Sequence, residues 1–350
     1  MLRQLWSLTR PVPAAGPNAL AVAIYEHPDG VVHAQESGFE GVACVDDAAR
    51  LLLVLSQVWV RIQGYRHASP ELDWIERWAR GLLDFVLWMQ EPDGTWLNFI
   101  HDWDGEKNHD GITSRPGQNF WLARGILGAQ WAAFVFGDEA SHEAYRNGLA
   151  AAAAEGAPPD IRALHLFAAL FGDDVEPFLA EKWADELLAC RDGNVLKNSE
   201  LEVGLPHLWG HVQEGALAEA ANRLDRPDYL EAAIASAEAV IVPEVASAFG
   251  GRESTSPYDV AAAIWSLDRL AAASADERWA HLAAEGRAWF DGRNTAGSPV
   301  YDRERGRVAD GIDGTRVSDN SGAESNIVAA EVLLDLAVEG ARSMPDPFAS

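Results

Sequence analysis

Two kinds of helical segment alternate along the chain, and this alternation limits its fold more than any other feature. Six segments rich in Ala, Leu and Gly, about 47–63, 118–136, 159–171, 206–223, 258–274 and 323–339, are apolar almost all the way round. A helix with no polar face must be buried on every side. Between them lie amphipathic segments at about 71–90, 138–154, 175–190, 227–246 and 276–290. In the first of these, Leu72, Ile75, Trp78, Ala79, Leu82, Phe85, Val86 and Met89 recur at helical spacing. Strand signals are nearly absent. Buried helices each followed by an amphipathic one predict an inner ring wrapped by an outer ring. That is an all-α (α/α)6 toroid filling 1–350 as a single domain, with 1–30 as an N-terminal lead-in. A two-layer helical solenoid gives the same alternation and stays open as an alternative. No sixth outer helix is evident in the proline-broken tail "SMPDPFAS", so it is expected to be missing or supplied by the N-terminal segment.

The connections are asymmetric. Those from an outer helix to the next inner one include the long, polar stretches 91–117, 191–205, 247–257 and 291–322, whereas the turns at 64–70, 137, 172–174 and 224–226 are short. Long loops gathered at one end of a rigid scaffold are where binding and catalysis concentrate. The same end carries the N-termini of the inner helices, whose free N–H groups favour anionic or oxygen-rich ligands.

Charge excludes some partners. With 54 acidic against 27 basic side chains the formal charge is −27, which repels nucleic acid and anionic membranes. Apolar runs such as Leu51 to Leu55 fall far short of the roughly 20 residues a bilayer crossing needs. The first residues carry no signal-peptide pattern, so the chain is expected to be soluble and cytoplasmic. Cys44 and Cys190 are too few for a disulfide framework or a zinc site and are expected to be buried free thiols. Among 14 tryptophans, Trp96, Trp103 and Trp209 fall in loops and are candidates for ligand contact.

Polar clusters stand at the starts of the inner helices. "GFEGVACVDDAARLLLVL" places Asp46 and Asp47 side by side before a run of leucines. A helix cap explains one carboxylate, not two, and taking both out of water is costly unless a cation such as Arg50, one turn on, offsets the charge. "HDWDGEKNHDGITSRPGQNFW" supplies Asp102, Asp104, Arg115 and Gln118. "NSELEVGLPHLWGHVQEGAL" supplies Glu200, Glu202, His207, His211 and Glu214; the two histidines stand at i and i+4, but without a third ligand they make no metal site. "GGRESTSPYD" gives Arg252, Glu253, Tyr258 and Asp259, and "RVSDNSGAESN" gives Asp319 and Glu324. Carboxylates pointed at one cavity with pKa values pushed apart are the working parts of glycoside hydrolysis. No cofactor is implied.

Three segments resemble the helical toroid domains of the six-hairpin glycosidase superfamily, some of which are appended to bacterial glycosyltransferases. "GFEGVACVDDAARLLLVL" is similar to their "GYCxDDNARAL". "DGTWLNFIHDWDG" and "GQNFWLARGILGAQW" are similar to "GxFxNFxxYDRxW" and "GRALWALG", and "SGAESNIVAAEVLL" to "GAESTLAYLLAL". The segments keep the family's order from about residue 38 to 340. The resemblance implies an (α/α)6 fold and a carbohydrate-related role. An adjacent aspartate pair is catalytic in endo-α-1,6-mannanases of this superfamily, which carries over onto Asp46 and Asp47. Ala48 stands where the related segment has Asn, and no glycosyltransferase segment is read among these residues.

The leading expectation is a glycosidase acting on a neutral oligosaccharide or polysaccharide. Asp46 or Asp47 would face Glu253 or, as second choice, Glu324. Trp96, Asp102, Trp103, Arg115, Gln118, His207, Trp209, His211, Tyr258 and Asp259 would contact substrate. Two alternatives are a sugar epimerase or polysaccharide lyase exchanging protons through His211, His207 or Tyr258, and a carbohydrate-binding domain without catalysis. A terpene-cyclase-like toroid would need a DxDD-type motif, and "CVDD" lacks its first aspartate.

Overall fold

The computed structural model describes residues 1–25, 41–65, 69–171 and 176–349. In chain order its α-helices are α1 (Leu2–Leu8), α2 (Val45–Tyr65), α3 (Pro70–Trp88), α4 (Phe120–Phe136), α5 (Glu139–Ala154), α6 (Pro159–Leu170), α7 (Pro177–Ala189), α8 (Gln213–Leu224), α9 (Pro227–Ala246), α10 (Pro257–Ser274), α11 (Glu277–Arg287), α12 (Ala323–Val332) and α13 (Leu334–Ser343). The six apolar segments become α2, α4, α6, α8, α10 and α12. Each is followed by its amphipathic partner, so the chain is built as six helical hairpins. The lead-in runs past residue 25, and the turns expected at 64–70 and 172–174 fall partly or wholly outside the described residues.

Local chemistry sets the helix ends. Asn119 caps α4 by accepting from the N–H of Leu122 at 3.0 Å, and Gly137 closes it in a left-handed conformation at φ 62°. A proline in the first turn starts α3, α6, α7, α9 and α10. Ser256 and Asp259 form a reciprocal capping box on α10.

Two boundaries differ from expectation. The fourth inner helix begins at Gln213 rather than 206, because "PHLWGHV" holds Pro206 and a left-handed Gly210 at φ 70°. The segment read as one helix over 323–339 breaks at Leu333 (φ −111°, ψ 41°). Its second piece, α13, is the missing sixth amphipathic helix, burying Ala337, Val338 and Ala341.

The helices form two compact units. The first comprises Met1–Ala154, Asp302–Ala309 and Asp319–Ser350; the second comprises Glu155–Tyr301 and Asp310–Ser318. In the first, α2 packs against α3, α4, α12 and α13, α4 packs against α5, and α1 packs on α12 and α13. In the second, α8 packs against both α6 and α10, and α7, α9 and α11 pack on their preceding helices. Apolar burial holds these layers: Trp74, Ile75, Trp78, Leu82, Phe85 and Val86 on α3 are all inaccessible or nearly so. Each such side chain contributes about 1.5–3 kcal/mol.

The strands are two- and three-residue ladders in the loops. One matters to the site: Ala43–Cys44 pairs antiparallel with Phe99–Ile100 and ties the 91–117 loop to the start of α2. Gly41 makes that approach possible, since a Cβ there would collide with the Ile100 carbonyl oxygen. Among the described residues, no helix is long and apolar enough to cross a membrane.

Candidate active site

The start of α2 answers why two aspartates precede a run of leucines. Neither caps the helix. Asn98, from the paired loop, accepts the Asp46 N–H at 3.1 Å, and Cys44 Sγ takes the Asp47 N–H at 3.4 Å. The Asn98 carbonyl also accepts from Val45 at 2.8 Å. With the helix end satisfied by other residues, both carboxylates are free to turn to side chains.

Their partners are two arginines. Arg124, on the otherwise uncharged α4, is buried and donates to Asp46 Oδ1. Its guanidinium also lies 4.8 Å from the centre of the Phe120 ring. Arg50 Nη2 donates to Asp47 Oδ1 at 2.7 Å and to Glu324 Oε1 at 2.9 Å, while its Nε lies 3.9 Å from Asp46 Oδ1. Glu324 sits in the first turn of α12. Sharing one nitrogen, the Asp47 and Glu324 oxygens can be no farther apart than those two contacts laid end to end. Exposure grades across the cluster: the side chain of Asp47 is 4 % exposed, that of Asp46 20 % and that of Glu324 40 %.

Three carboxylates therefore meet two guanidinium groups, an excess of one negative charge that a proton would cancel. Burial raises the pKa of Asp46, but the charges of Arg124 and Arg50 outweigh it and hold the group below the usual carboxylate range. At Asp47 burial prevails: despite Arg50, and helped by the negative charges of Glu324 and Asp46, its pKa is raised to about 6. Burial and the same two aspartates push the Cys44 thiol well up, so it is no nucleophile at neutral pH. Neighbouring carboxylates with opposite protonation preferences can divide acid and base roles between them.

The remaining predicted residues scatter. Glu253 is exposed in the second unit, and its carbonyl accepts from Gly314 at 2.9 Å. Trp96 is a core residue, not a loop contact: it is inaccessible, its Nε1 donates to the Val86 carbonyl at 2.8 Å, and Gly125 and Gly148 leave room for its indole. Asp102 Oδ1 accepts from the N–H groups of Gly105 and Glu106 and so shapes its own turn; Trp103 beside it is half-buried. Arg115 is exposed. Gln118 donates to the Ala151 carbonyl at 3.0 Å, and its Oε1 is buried without a partner among the described residues. Asp259 belongs to the capping box of α10.

In the second unit, His207 is exposed, its ring 6.0 Å from that of Trp209, and Trp209 meets Tyr258 edge-on at 5.2 Å. His211 is inaccessible, with Nδ1 2.7 Å from Asn198 Oδ1 and Nε2 2.8 Å from Glu214 Oε1. Neither ring nitrogen is left for proton exchange with a ligand. A cavity of about 620 Å³ in this unit has Arg162, Glu186, Cys190, Lys197 and Glu202 among its lining residues, and none of the four candidate catalytic carboxylates lines it.

Sequence reasoning overlooked Arg124 and Asn98 as parts of the site. Arg124 had a signal, since a lone arginine in an apolar helix needs a buried anion. Asn98 had none, because its role depends on a pairing across 52 positions of chain.

No family model matches the chain, and no curated protein sequence does. Solved structures do. The GH family 9 endoglucanase J30 is similar over 96% of this chain and 83% of its own, at 14% identity and a TM-score of 0.54. A GH76 α-mannanase from Bacteroides thetaiotaomicron is similar over 86% and 88%, at 11% identity and a TM-score of 0.56. The endoglucanase CelQ from Clostridium thermocellum, in complex with cellotriose, is similar over 83% of this chain but 61% of its own, at 11% identity and a TM-score of 0.51. The likeness is one of fold: the chain shares the (α/α)6 architecture of these structures.

Proposed function

We propose that the protein is a glycoside hydrolase-like enzyme acting on a neutral oligosaccharide or polysaccharide. Its chemistry is centred on Asp46 and Asp47. The observation that carries this reading is the opposed protonation of the two neighbours: Asp46 is kept ionised by Arg124 and Arg50, and Asp47 is able to hold a proton near neutral pH. Asp47 would protonate the leaving glycosidic oxygen. Asp46, its carboxylate favoured by Arg124 and Arg50, would stabilise positive charge on the sugar, attack its anomeric carbon or activate water. The negative charge of Glu324 helps keep Asp47 protonated. Likeness in fold to an α-mannanase and to endoglucanases supports the substrate class.

The test is release of reducing ends from α-mannan and β-glucan oligosaccharides by wild type, Asp46→Asn and Asp47→Asn. Each variant should stay folded and lose about 10²–10⁴-fold in turnover, the usual worth of a positioned proton donor or acceptor. Unchanged turnover in Asp47→Asn removes the assignment. The near-complete burial of Asp47 favours one other reading, a carbohydrate-binding chain without turnover. In that case wild type binds glycans yet releases nothing from any of them.

A further inference from the structure

The cavity of about 620 Å³ in the second unit takes no part in the chemistry assigned to α2. Its size falls within the range of about 300–1,000 Å³ usual for small-molecule pockets. The start of α6, the end of α7 and the loop after α7 line it. Pro159 and Leu187 give it apolar surface, and Arg191, Asp192, Lys197 and Glu200 bring charge to it. One wall is firmly held. Arg191–Asp192 pairs antiparallel with Val195–Leu196 around a left-handed Gly193 at φ 59°. The Leu196 N–H donates to the buried Ser236 hydroxyl at 3.0 Å, and the Lys197 carbonyl accepts from Gln213 at 3.0 Å.

Some of the ionic groups along the cavity are already engaged. Glu186 Oε2 lies 2.9 Å from Arg162 Nε, and Glu202 Oε2 accepts the Asn198 N–H at 2.8 Å. Lys197 is engaged less fully. It is 6 % exposed, and its Nζ donates to the Gly204 carbonyl at 2.7 Å. The nearest carboxylate oxygen among the described residues, Asp192 Oδ2, is 3.9 Å away. An ammonium has three N–H donors, so two of them lack an acceptor in a place where water has little access. Leaving them so is costly. Arg191, Asp192 and Glu200 are exposed, and none of their side chains makes a hydrogen bond among the described residues. The groups left over are two cations and two anions, with a cation buried and both acids at the exposed edge. A net anion is repelled by Asp192 and Glu200, and a net cation by Lys197 and Arg191. A ligand carrying both charges satisfies both sets.

We propose that this cavity binds a zwitterion of amino-acid to dipeptide size. Lys197 takes its carboxylate, Asp192 and Glu200 take its ammonium group, and Pro159 and Leu187 face its apolar part. The inference goes beyond the carbohydrate reading and does not depend on it.

The experiment measures binding of leucine and alanyl-leucine to the full chain by calorimetry. Two controls are N-acetyl-alanyl-leucine, which lacks the positive charge, and alanyl-leucinamide, which lacks the negative one. The better zwitterion should bind about tenfold or more tighter than either control, the usual worth of a hydrogen bond to a charged group. It should also slow maleimide labelling of Cys190, a partly exposed free thiol on the cavity wall. Lys197→Gln should weaken zwitterion binding about tenfold or more. Asp192→Asn combined with Glu200→Gln changes only exposed side chains, so it decides the matter even if Lys197→Gln fails to fold. That double variant should weaken the zwitterion and strengthen the N-acetylated anion. Equal affinity for zwitterion and controls, binding that leaves Cys190 labelling unchanged, or a double variant that behaves as wild type overturns the site. So does failure of the wild-type chain to bind either zwitterion.

Discussion

The polar cluster at α2 and the one at α8 are built from similar parts and end up with different capacities. At α8, His211, Glu214, Asn198, Gln213 and Ser236 are all buried. Glu214 Oε1 accepts from Ser236 at 2.6 Å and lies 2.8 Å from His211 Nε2, while Asn198 Oδ1 accepts from Gln213 at 2.8 Å. Those bonds tie the 198–212 loop to α8 and α9. At α2 the carboxylates outnumber their cations and two of the three keep an accessible edge. What sets the α2 cluster apart is that two of its three carboxylates keep a path to solvent, whereas every member of the α8 cluster is buried.

That contrast can be broken by exchange of outcomes. The largest expected effect is on rate: Asp47→Asn should lower turnover about 10²–10⁴-fold while shifting the urea midpoint little. Glu214→Ala should do the reverse. It leaves Ser236 and His211 without their acceptor in the core, and a buried polar group left unsatisfied costs about 1–3 kcal/mol, read as a drop in ΔG of unfolding. A stable Glu214→Ala protein without turnover would erase the distinction between the two clusters. Next in size is Arg124→Gln, which removes the main charge holding Asp46 low. The acidic limb of the pH–rate profile should move to higher pH, by about one pH unit for every 1.4 kcal/mol of lost attraction.

The smallest effects are slopes of stability against pH, and they have opposite signs. Asp47 has a folded pKa of about 6 against an ordinary 3.8. The folded chain therefore holds that proton more tightly, and the stabilisation is complete below 3.8 and lost as pH rises through about 6. His165 in the second unit is the converse: burial, with Arg162 beside it, lowers its pKa from 6.5 to about 3. Its contribution is present above 6.5 and is lost as pH falls toward 3. Melting temperatures of Asp47→Asn and His165→Gln across pH 3–7 should each show one of these slopes flattened and the other kept.

Much of the fold could be read from the order of residues because each inner helix announces itself by lacking a polar face. The five expected amphipathic helices begin and end within three residues of expectation; the sixth was read as part of one helix over 323–339, because Leu333 turns the chain with neither Gly nor Pro to mark it. Asp46 and Asp47 were legible as an oddity of charge. Glu324 was expected opposite them as second choice, and Arg50 brings it there; what was not legible is that Arg124 holds Asp46 from a distant helix and that Asn98 accepts at the helix start. Trp96 was misplaced for a related reason, since the space it fills is created by Gly125 and Gly148, far along the chain.

Arg50 meets Glu324 across 274 positions of sequence, and this has a consequence for biosynthesis. A ribosome adding about 5–20 residues per second delivers the arginine well before its acidic counterpart emerges. Throughout that interval Asp47 lacks one of the two anions that keep its proton in place, so a nascent chain already holding both aspartates is still chemically unfinished. On the glycosidase reading proposed above, hydrolytic competence should therefore arise in a single late step, and premature termination anywhere before α12 should yield a product that cleaves nothing.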